Sequence, residues 1–303
     1  TFTLKVDWGD PNSPNNLETY EIEPGTTEFT LTHRYLDDSP TNTAQDTYDV
    51  ELTVTDDDLG TSSDTTNVTV NNVAPVLTNL TTILITEDAT TTLTGTINDP
   101  SPLDSFTLNV DWGDPNSPYN LETYEFEPGT TDFTLTHRYL DDSPTNTAQD
   151  IYTVTLTTTD DDLGTTTATT TVTVNNVTPV LANLLTTAID ENGTTTLTGT
   201  ILDPGTRPQE SKWTGDYFTL NVDWGDPNSP NNLETYEVDG YSKLKPGTTT
   251  FTLTHRYLDD SPTNTAPDIY TIGLTVTDDD LGTSSDTITV TVNNVTPALA
   301  DLL

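Results

Sequence analysis

The chain contains no cysteine and no methionine, three histidines, and 8 lysines and arginines among 303 residues. Without cysteine there are neither disulfides nor thiolate metal ligands, so any staple in the fold must come from other chemistry. The few basic residues stand against 49 acidic ones, a formal charge of -41 that repels phosphate backbones and anionic membrane surfaces. Nucleic acid is not an expected partner. No apolar run is long enough to span a bilayer and no secretion signal opens the chain, so direct membrane insertion is not expected. The absence of methionine at position 1 reads as an excerpt from a longer protein. No segment carries the period of an amphipathic helix. Cations are the natural partners of so acidic a surface, although a halophilic or simply soluble surface shows the same excess.

What the chain does contain, it contains three times. "DWGDPNSPNNLETYE" occupies Asp7 to Glu21, returns as "DWGDPNSPYNLETYE" from Asp111, and appears unchanged from Asp223 to Glu237. Trp8 to Trp112 is 104 positions and Trp112 to Trp224 is 112. The difference comes from insertions in the third copy, "GTRPQESKWTGDY" (Gly205 to Tyr217) and "VDGYSKLKPG" (Val238 to Gly247). Within a copy the pattern has period two. Phe106, Leu108, Val110 and Trp112 alternate with Thr107, Asn109 and Asp111, as a half-buried strand requires. Phe133, Leu135, His137 and Tyr139 repeat the pattern, as do Tyr152, Val154 and Leu156, then Val172 and Val174, and in the third copy Leu197, Gly199 and Ile201. Threonine, which is β-branched, fills the outward positions, and clusters such as "DPNSP", "EPGTT" and "LDDSPTN" read as turns.

About seven short strands per hundred residues predict an all-β chain of tandem immunoglobulin-like antiparallel β-sandwiches arranged end to end. "VNNVAP" (Val70 to Pro75) and "VNNVTP" (Val174 to Pro179, and again Val292 to Pro297) mark the boundaries. They divide the chain into residues 1-74, which lack the first two strands of a copy, 75-178, 179-296 with its two loop insertions, and 297-303, the start of a fourth. An excerpt from a long array and a subunit completed by a neighbour's strands both account for that division.

The order "VDWGD", "LTHRY", "YTVTLTTTDDDLG", "TVTVNNVTP" resembles the PKD domain, an immunoglobulin-like module of cell-surface and secreted proteins. Trp112, Gly113 and Asp114 fit its aromatic-Gly-Asp motif, with Pro115 where glycine is usual. His137 and Tyr139 fit its His-x-Tyr, and Asp150 replaces the glycine expected before Tyr152. The resemblance implies repeated seven-stranded sandwiches, extracellular and without catalysis of their own, serving as spacers, adhesion elements or interaction modules.

Sandwich topology places the acidic triplets. The loop before the last strand lies at the end of a copy that meets the preceding linker, so Asn71 and Asn72 should face Asp99 and the triplet Asp160, Asp161, Asp162. Asn175 and Asn176 should likewise face Asp203 and Asp278, Asp279, Asp280, with Glu87, Asp88, Asp141 and Asp142 approaching from the far end of copy two. Asp56, Asp57 and Asp58 are the same triplet in copy one. Carboxylates and amide carbonyls without thiols or histidines make a hard-oxygen site suited to Ca2+. The competing reading is that adjacent aspartates cap a turn and keep a strand edge soluble.

The histidines share the face of buried apolar residues, and no nucleophile accompanies them in a recognisable motif, so no enzyme is expected. Asp111 and Asp114 read as turn residues beside a buried tryptophan. Tyr48, Tyr152 and Tyr270 open a late strand and match the tyrosine corner of such sandwiches. The expected function is thus a non-catalytic extracellular or cell-surface structural protein, a repetitive stalk or filament with calcium-stiffened junctions. Its partners would be neighbouring repeats of the same long chain, with self-assembly into filaments. Two alternatives stay open. One is an adhesin or carbohydrate- or protein-binding module that takes a glycan or surface receptor through Trp213 and Lys212. The other is a set of accessory repeats of a larger secreted enzyme.

Overall fold

Alternating threonine and apolar residues form strands because β-branched side chains fit a pleated, half-buried surface, and twenty strands occur among the described residues. A computed structural model of the chain describes all residues except 40, 116, 143-144, 206-216, 240-247, 261-262, 264, 266 and 299-303. No helix occurs among the described residues. Copy one holds β1 (Phe2–Asp7), β2 (Leu17–Ile22), β3 (Gln45–Asp56) and β4 (Thr61–Asn71). Copy two holds β5 (Val76–Thr81), β6 (Ile85–Thr86), β7 (Thr90–Asn98), β8 (Phe106–Asp111), β9 (Leu121–Phe126), β10 (Asp132–Arg138), β11 (Gln149–Asp160) and β12 (Thr165–Asn175). Copy three repeats that series as β13 (Val180–Thr186), β14 (Ile189–Asp190), β15 (Thr194–Leu202), β16 (Tyr217–Asp223), β17 (Leu233–Asp239), β18 (Thr248–Arg256), β19 (Asp268–Thr277) and β20 (Thr283–Asn293).

Copies two and three each form a three-stranded sheet, β10-β7-β5 or β13-β15-β18, and a five-stranded one, β6-β12-β11-β8-β9 or β14-β20-β19-β16-β17. The chain is all-β, a tandem series of immunoglobulin-like sandwiches. The first strand of a copy serves both sheets. β13 pairs antiparallel with β15, and after a break the short β14 pairs parallel with the end of β20, Ile189 against Val292. In copy three the two sheets close on one core, with Leu181, Leu197, Ile201 and Phe251 from one side and Phe218, Leu220, Trp224, Leu274 and Val276 from the other.

Two compact units contain the chain. The first comprises Thr1–Thr82, Thr92–Thr136 and Thr153–Thr171, the second Ile83–Thr91, His137–Tyr152 and Val172–Leu303. The linker between copies one and two, with the acidic loops that flank it, lies wholly in the first unit. The linker between copies two and three lies wholly in the second.

Copy one shows how far strand formation depends on a partner. "TFTLTHRY" (Thr250 to Tyr257) lies in β18, hydrogen-bonded to β15 in the register Leu197 to Leu253 and Gly199 to Phe251. The nearly identical "EFTLTHRY" (Glu28 to Tyr35) forms no strand. Among the described residues copy one forms only the sheet β2-β1-β3-β4, and this segment pairs with no strand there. Phe29 is consequently 53% exposed, against 6% for Phe251. An open groove of about 440 Å³, lined by Phe2, Leu4, Ile22, Phe29, Leu52 and Val54, takes the place of the second sheet.

The aromatic motifs form the rest of the core. In copy three the His255 ring stacks on Trp224 at 4.8 Å, and its Nε2 lies 3.3 Å from Asp226 Oδ2. Tyr257 donates its hydroxyl to the Trp224 carbonyl at 2.7 Å. Copy one repeats this with Trp8, His33, Asp10 and Tyr35. These histidines are packing elements whose polar edge is satisfied by a carboxylate. The glycine of "DWGD" is equally constrained. Gly225 has φ +69, and a Cβ there would lie 2.3 Å from the Thr271 carbonyl oxygen on the neighbouring strand. Gly225→Ala should therefore destabilise copy three by about 1–3 kcal/mol, the scale of an unrelieved overpacking clash. Denaturant unfolding of the full chain, followed by tryptophan fluorescence, measures it, and an unchanged midpoint would contradict the constraint.

Candidate metal centres at the copy junctions

Three local devices carry carboxylates to the linkers. The first is the tyrosine at the start of each late strand. Tyr48 donates to the Asp37 carbonyl at 3.0 Å and Tyr152 to the Asp141 carbonyl at 3.1 Å. The pairs Asp37-Asp38 and Asp141-Asp142 are thereby anchored next to the core. The second is the parallel pairing of β6 with the end of β12, Val174 against Ile85. It brings the Glu87 amide to the Asn175 carbonyl at 2.9 Å, and Glu87 Oε1 then accepts the Val177 amide of the linker at 2.9 Å.

The third is the turn "DDDLG". In the first unit the Asp160 amide donates to the Gly164 carbonyl at 3.0 Å, the Asp160 carbonyl accepts the Leu163 amide at 3.4 Å and Asp160 Oδ1 accepts the Gly164 amide at 2.6 Å, a turn that holds Leu163 at φ 72. Asp160 Oδ2 accepts the linker amide Asn72 Nδ2 at 2.9 Å. A Cβ on Gly164 would sit 2.4 Å from Asp160 Oδ2, 2.7 Å from Asn72 Nδ2 and 2.8 Å from Ala74 Cα, so only glycine lets the linker press against the triplet. Asp278, Gly282 and Asn176 repeat the arrangement in the second unit, with Asn176 Nδ2 3.0 Å from Asp278 Oδ2.

The carboxylates converge as a result. In the first unit, oxygens of Asp37, Asp38 and Asp162 lie within 4.8 Å of one another, as do those of Asp99, Asp104 and Asp160, and those of Asp104, Asp161 and Asp162. In the second unit Glu87, Asp141 and Asp142 form such a group. Several of these side chains are out of water, Asp142 at 0% exposed, Asp104 at 1% and Glu87 at 2%, while Asp37, Asp99 and Asp161 are half-buried. Both oxygens of Asp104 and of Asp142, Oδ2 of Asp38 and of Asp99, and Glu87 Oε2 have no hydrogen-bond partner. The oxygens of Glu191, Asp259 and Asp260 in copy three also lie within 4.8 Å of one another. Asp57 and Asp58 are exposed, and Glu191 and Asp260 at the far end of copy three are only half-buried.

Burial and like charge together favour the protonated form. Glu87 is pushed up to about 10 by burial, and then by the charges of Asp203, Asp142 and Asp141. Burial also raises Asp280 to about 9, with Asp142 as the next cause, and Asp142 to about 7 with help from Asp141. In the first unit burial raises Asp104 to about 8, aided by Asp99 and Asp37, and Asp162 to about 7, aided by Asp38. A divalent cation would compete with those protons for the same oxygens. Oxygen-only ligands with no thiol or imidazole fit a hard cation such as calcium.

Of the residues singled out from sequence, Asp99, Asp160, Asp161 and Asp162 meet in the first unit beside Asn72. Glu87, Asp141 and Asp142 meet in the second, with Asp203, Asp280 and the Asn176-Asp278 pair around them. Others are engaged elsewhere. Asn71 accepts from Gln45 and Asn175 from Gln149, each across its own strand pair. Asp88 forms an ion pair with Arg138, and Asp279 Oδ1 accepts the Tyr217 amide at 3.0 Å. Asp56 closes its own turn through Gly60 and Asp58, and Asp57 faces the Thr1 amino group, so this triplet joins no cluster among the described residues. Trp213 and Lys212 lie outside the described residues. Sequence reasoning missed Asp37, Asp38 and Asp104. The first two were legible, because "YLDDSPTN" in copy one matches the stretch that yields Asp141 and Asp142. Asp104 was legible too, although its loop varies in length, because it stands two residues before Phe106 as Asp216 stands before Phe218.

No family model and no curated protein matches the chain. Among solved structures it is similar to a tetra-tandem repeat in the extending region of a large adhesion protein, at 14% identity over 96% of this chain and 66% of that one, with a TM-score of 0.45. It is also similar to the FN1-FN3 domains of chicken CNTN1, at 11% identity over 96% and 91% with a TM-score of 0.22. The Dpr2 Ig1-Ig2 complex with DIP-Theta Ig1-Ig3 matches at 11% identity over 97% and 90%, with a TM-score of 0.29. The chain thus spans just under two thirds of the adhesion-protein repeat structure. No helix among the described residues is long and apolar enough to cross a membrane.

The raised pKa values set the sign of a pH dependence. Groups that hold protons more tightly when folded contribute stability that is complete below their unfolded value and is lost as pH rises through the folded one. In chelator, the melting temperature should therefore fall as pH is raised from the ordinary carboxylate range, 3.8 to 4.5, through the folded values of about 7 for Asp142 and about 10 for Glu87. Millimolar calcium should remove most of that fall, and Glu87→Gln should weaken it in chelator. Thermal melts across pH in both buffers test this, and parallel curves would contradict it.

Proposed function

We propose that the chain is a non-catalytic repeat region of an extracellular or cell-surface protein, of PKD type, in which calcium locks each copy to the next. One observation carries this reading. Buried carboxylate oxygens without hydrogen-bond partners gather at each junction, where the end of one copy meets the triplet turn of the next.

Such groups are costly unless something positive joins them. No lysine or arginine does so in the first junction among the described residues, which leaves protons or a metal ion. Calcium accepts six to eight oxygens at 2.3–2.6 Å in adaptable geometry, which suits carboxylates delivered by two different copies. Magnesium demands stricter octahedral geometry and releases water reluctantly. The proline-containing five-residue linker restricts the chain on its own, and the ion adds a cross-link between copies. Near-verbatim repetition then has a physical purpose, because each added copy extends the array and creates one more identical lock. A stalk or filament that presents an adhesive or structural element away from a surface is the role this serves.

Small-angle scattering of the full chain in millimolar calcium and then in excess chelator tests the reading. Calcium should give one narrow distribution of intramolecular distances, and chelator a broader one with a smaller mean dimension. Asp142→Asn should shift the calcium curve toward the chelator curve. Identical curves in the two buffers, with no calcium bound by calorimetry, would sink the proposal.

A further inference from the structure

Resting on that calcium reading, we infer that the first junction takes its ions as a bridged chain, with Asp104 and Asp162 each shared between two adjacent ions. Two oxygens bound to one calcium can be no more than about 5 Å apart, given bonds of 2.3–2.6 Å. Within each of the three groups in the first unit the oxygens lie within 4.8 Å of one another, inside the reach of a single ion. The seven carboxylates do not form one such set. They form three, joined end to end, because Asp104 belongs to the groups of Asp99-Asp160 and of Asp161-Asp162, and Asp162 also belongs to the group of Asp37-Asp38.

The pattern of free oxygens agrees with this order. Asp160, at one end, has both oxygens in hydrogen bonds, to Gly164 and to Asn72. Asp99 and Asp161 each use Oδ1 on a backbone amide, of Ser101 and Ser105. Asp104 is 1% exposed and neither of its oxygens accepts a hydrogen bond of normal length, although the Ser101 hydroxyl and the Asp37 and Asp99 carboxyls lie beside it, which leaves both oxygens able to turn to cations. Asp38 Oδ2 is likewise buried and free in the third group. Charge decides against a single ion. One divalent cation offsets two of the seven carboxylates, and among the described residues no lysine or arginine is paired with any of the other five. The last group needs Asp37 and Asp38 from copy one and Asp162 from copy two, so its ion enters only where two copies meet, and a shared carboxylate makes filling of adjacent sites interdependent.

The test is calcium stoichiometry on the full, chelator-stripped chain by equilibrium dialysis, for wild type, Asp99→Asn and Asp104→Asn. Both substitutions are isosteric, and the second removes a buried charge, which circular dichroism in chelator should show to be tolerated. Bridging predicts that Asp99→Asn loses about one ion per chain and Asp104→Asn about two, since the latter serves two sites. If wild type binds calcium but the two variants lose equal numbers, bridging is wrong while the calcium lock stands. If wild type binds none, both fall. A folding-independent check uses wild type alone, loaded with mixed terbium and neodymium. Bridged ions only a few ångströms apart should quench terbium emission strongly, and unquenched emission would overturn the bridged chain.

Discussion

Carboxylates removed from water beside other carboxylates are the constraint around which this chain is arranged. A charged group loses hydration when buried, and a like charge beside it compounds the loss. The protein nonetheless brings Glu87, Asp141 and Asp142 together, and Asp99, Asp104, Asp160 and Asp162, with few internal donors to satisfy them. Several features that look like unrelated sequence quirks serve that placement. The tyrosine hydroxyl fixes the backbone of the acidic pair, the parallel β6 pairing delivers Glu87 to the linker, and Gly164 allows the linker to touch the triplet.

One of the acidic groups, Asp37 and Asp38 with Asp162, is completed only by two copies. Asp56 to Asp58 and Asp160 to Asp162 share the sequence "DDDLG", yet the first triplet is open to solvent while Asp160 and Asp162 are buried under a preceding linker. The same dependence governs the backbone, since "FTLTHRY" is a strand in β18 and irregular in copy one. In both cases local sequence supplies the capacity and a neighbour completes it. This is the energetic logic of a repeat protein, in which stability and function reside in the interfaces between units as much as within them.

The copies are held internally by conventional means. A tryptophan and a histidine stack in the core, one tyrosine meets the histidine edge to face and a second lies tilted against the first, with one aspartate satisfying the imidazole and a carbonyl accepting a phenol. That arrangement absorbs the histidines and the "DWGD" acids, which would otherwise be the first candidates for acid-base chemistry, into packing. It leaves the junction carboxylates as the ionisable groups the core does not employ.

The sequence by itself determined the all-β class, the repeat, the turn positions and the end of each copy at which acids collect, because period-two alternation and Asn-Pro linkers are local and survive without knowledge of contacts. It also marked Asp99, Glu87 and the triplets, since a strand's direction tells which loops share an end. Only the tertiary structure decided which oxygens are free. Asn71 and Asn175 are spent on cross-strand partners, Asp88 on Arg138, and Asp279 on a backbone amide, all through pairings between residues far apart in sequence. Asp104 emerges as a buried acid of the first junction whose oxygens accept no hydrogen bond of normal length, because burial and donor geometry depend on how the folded neighbours pack.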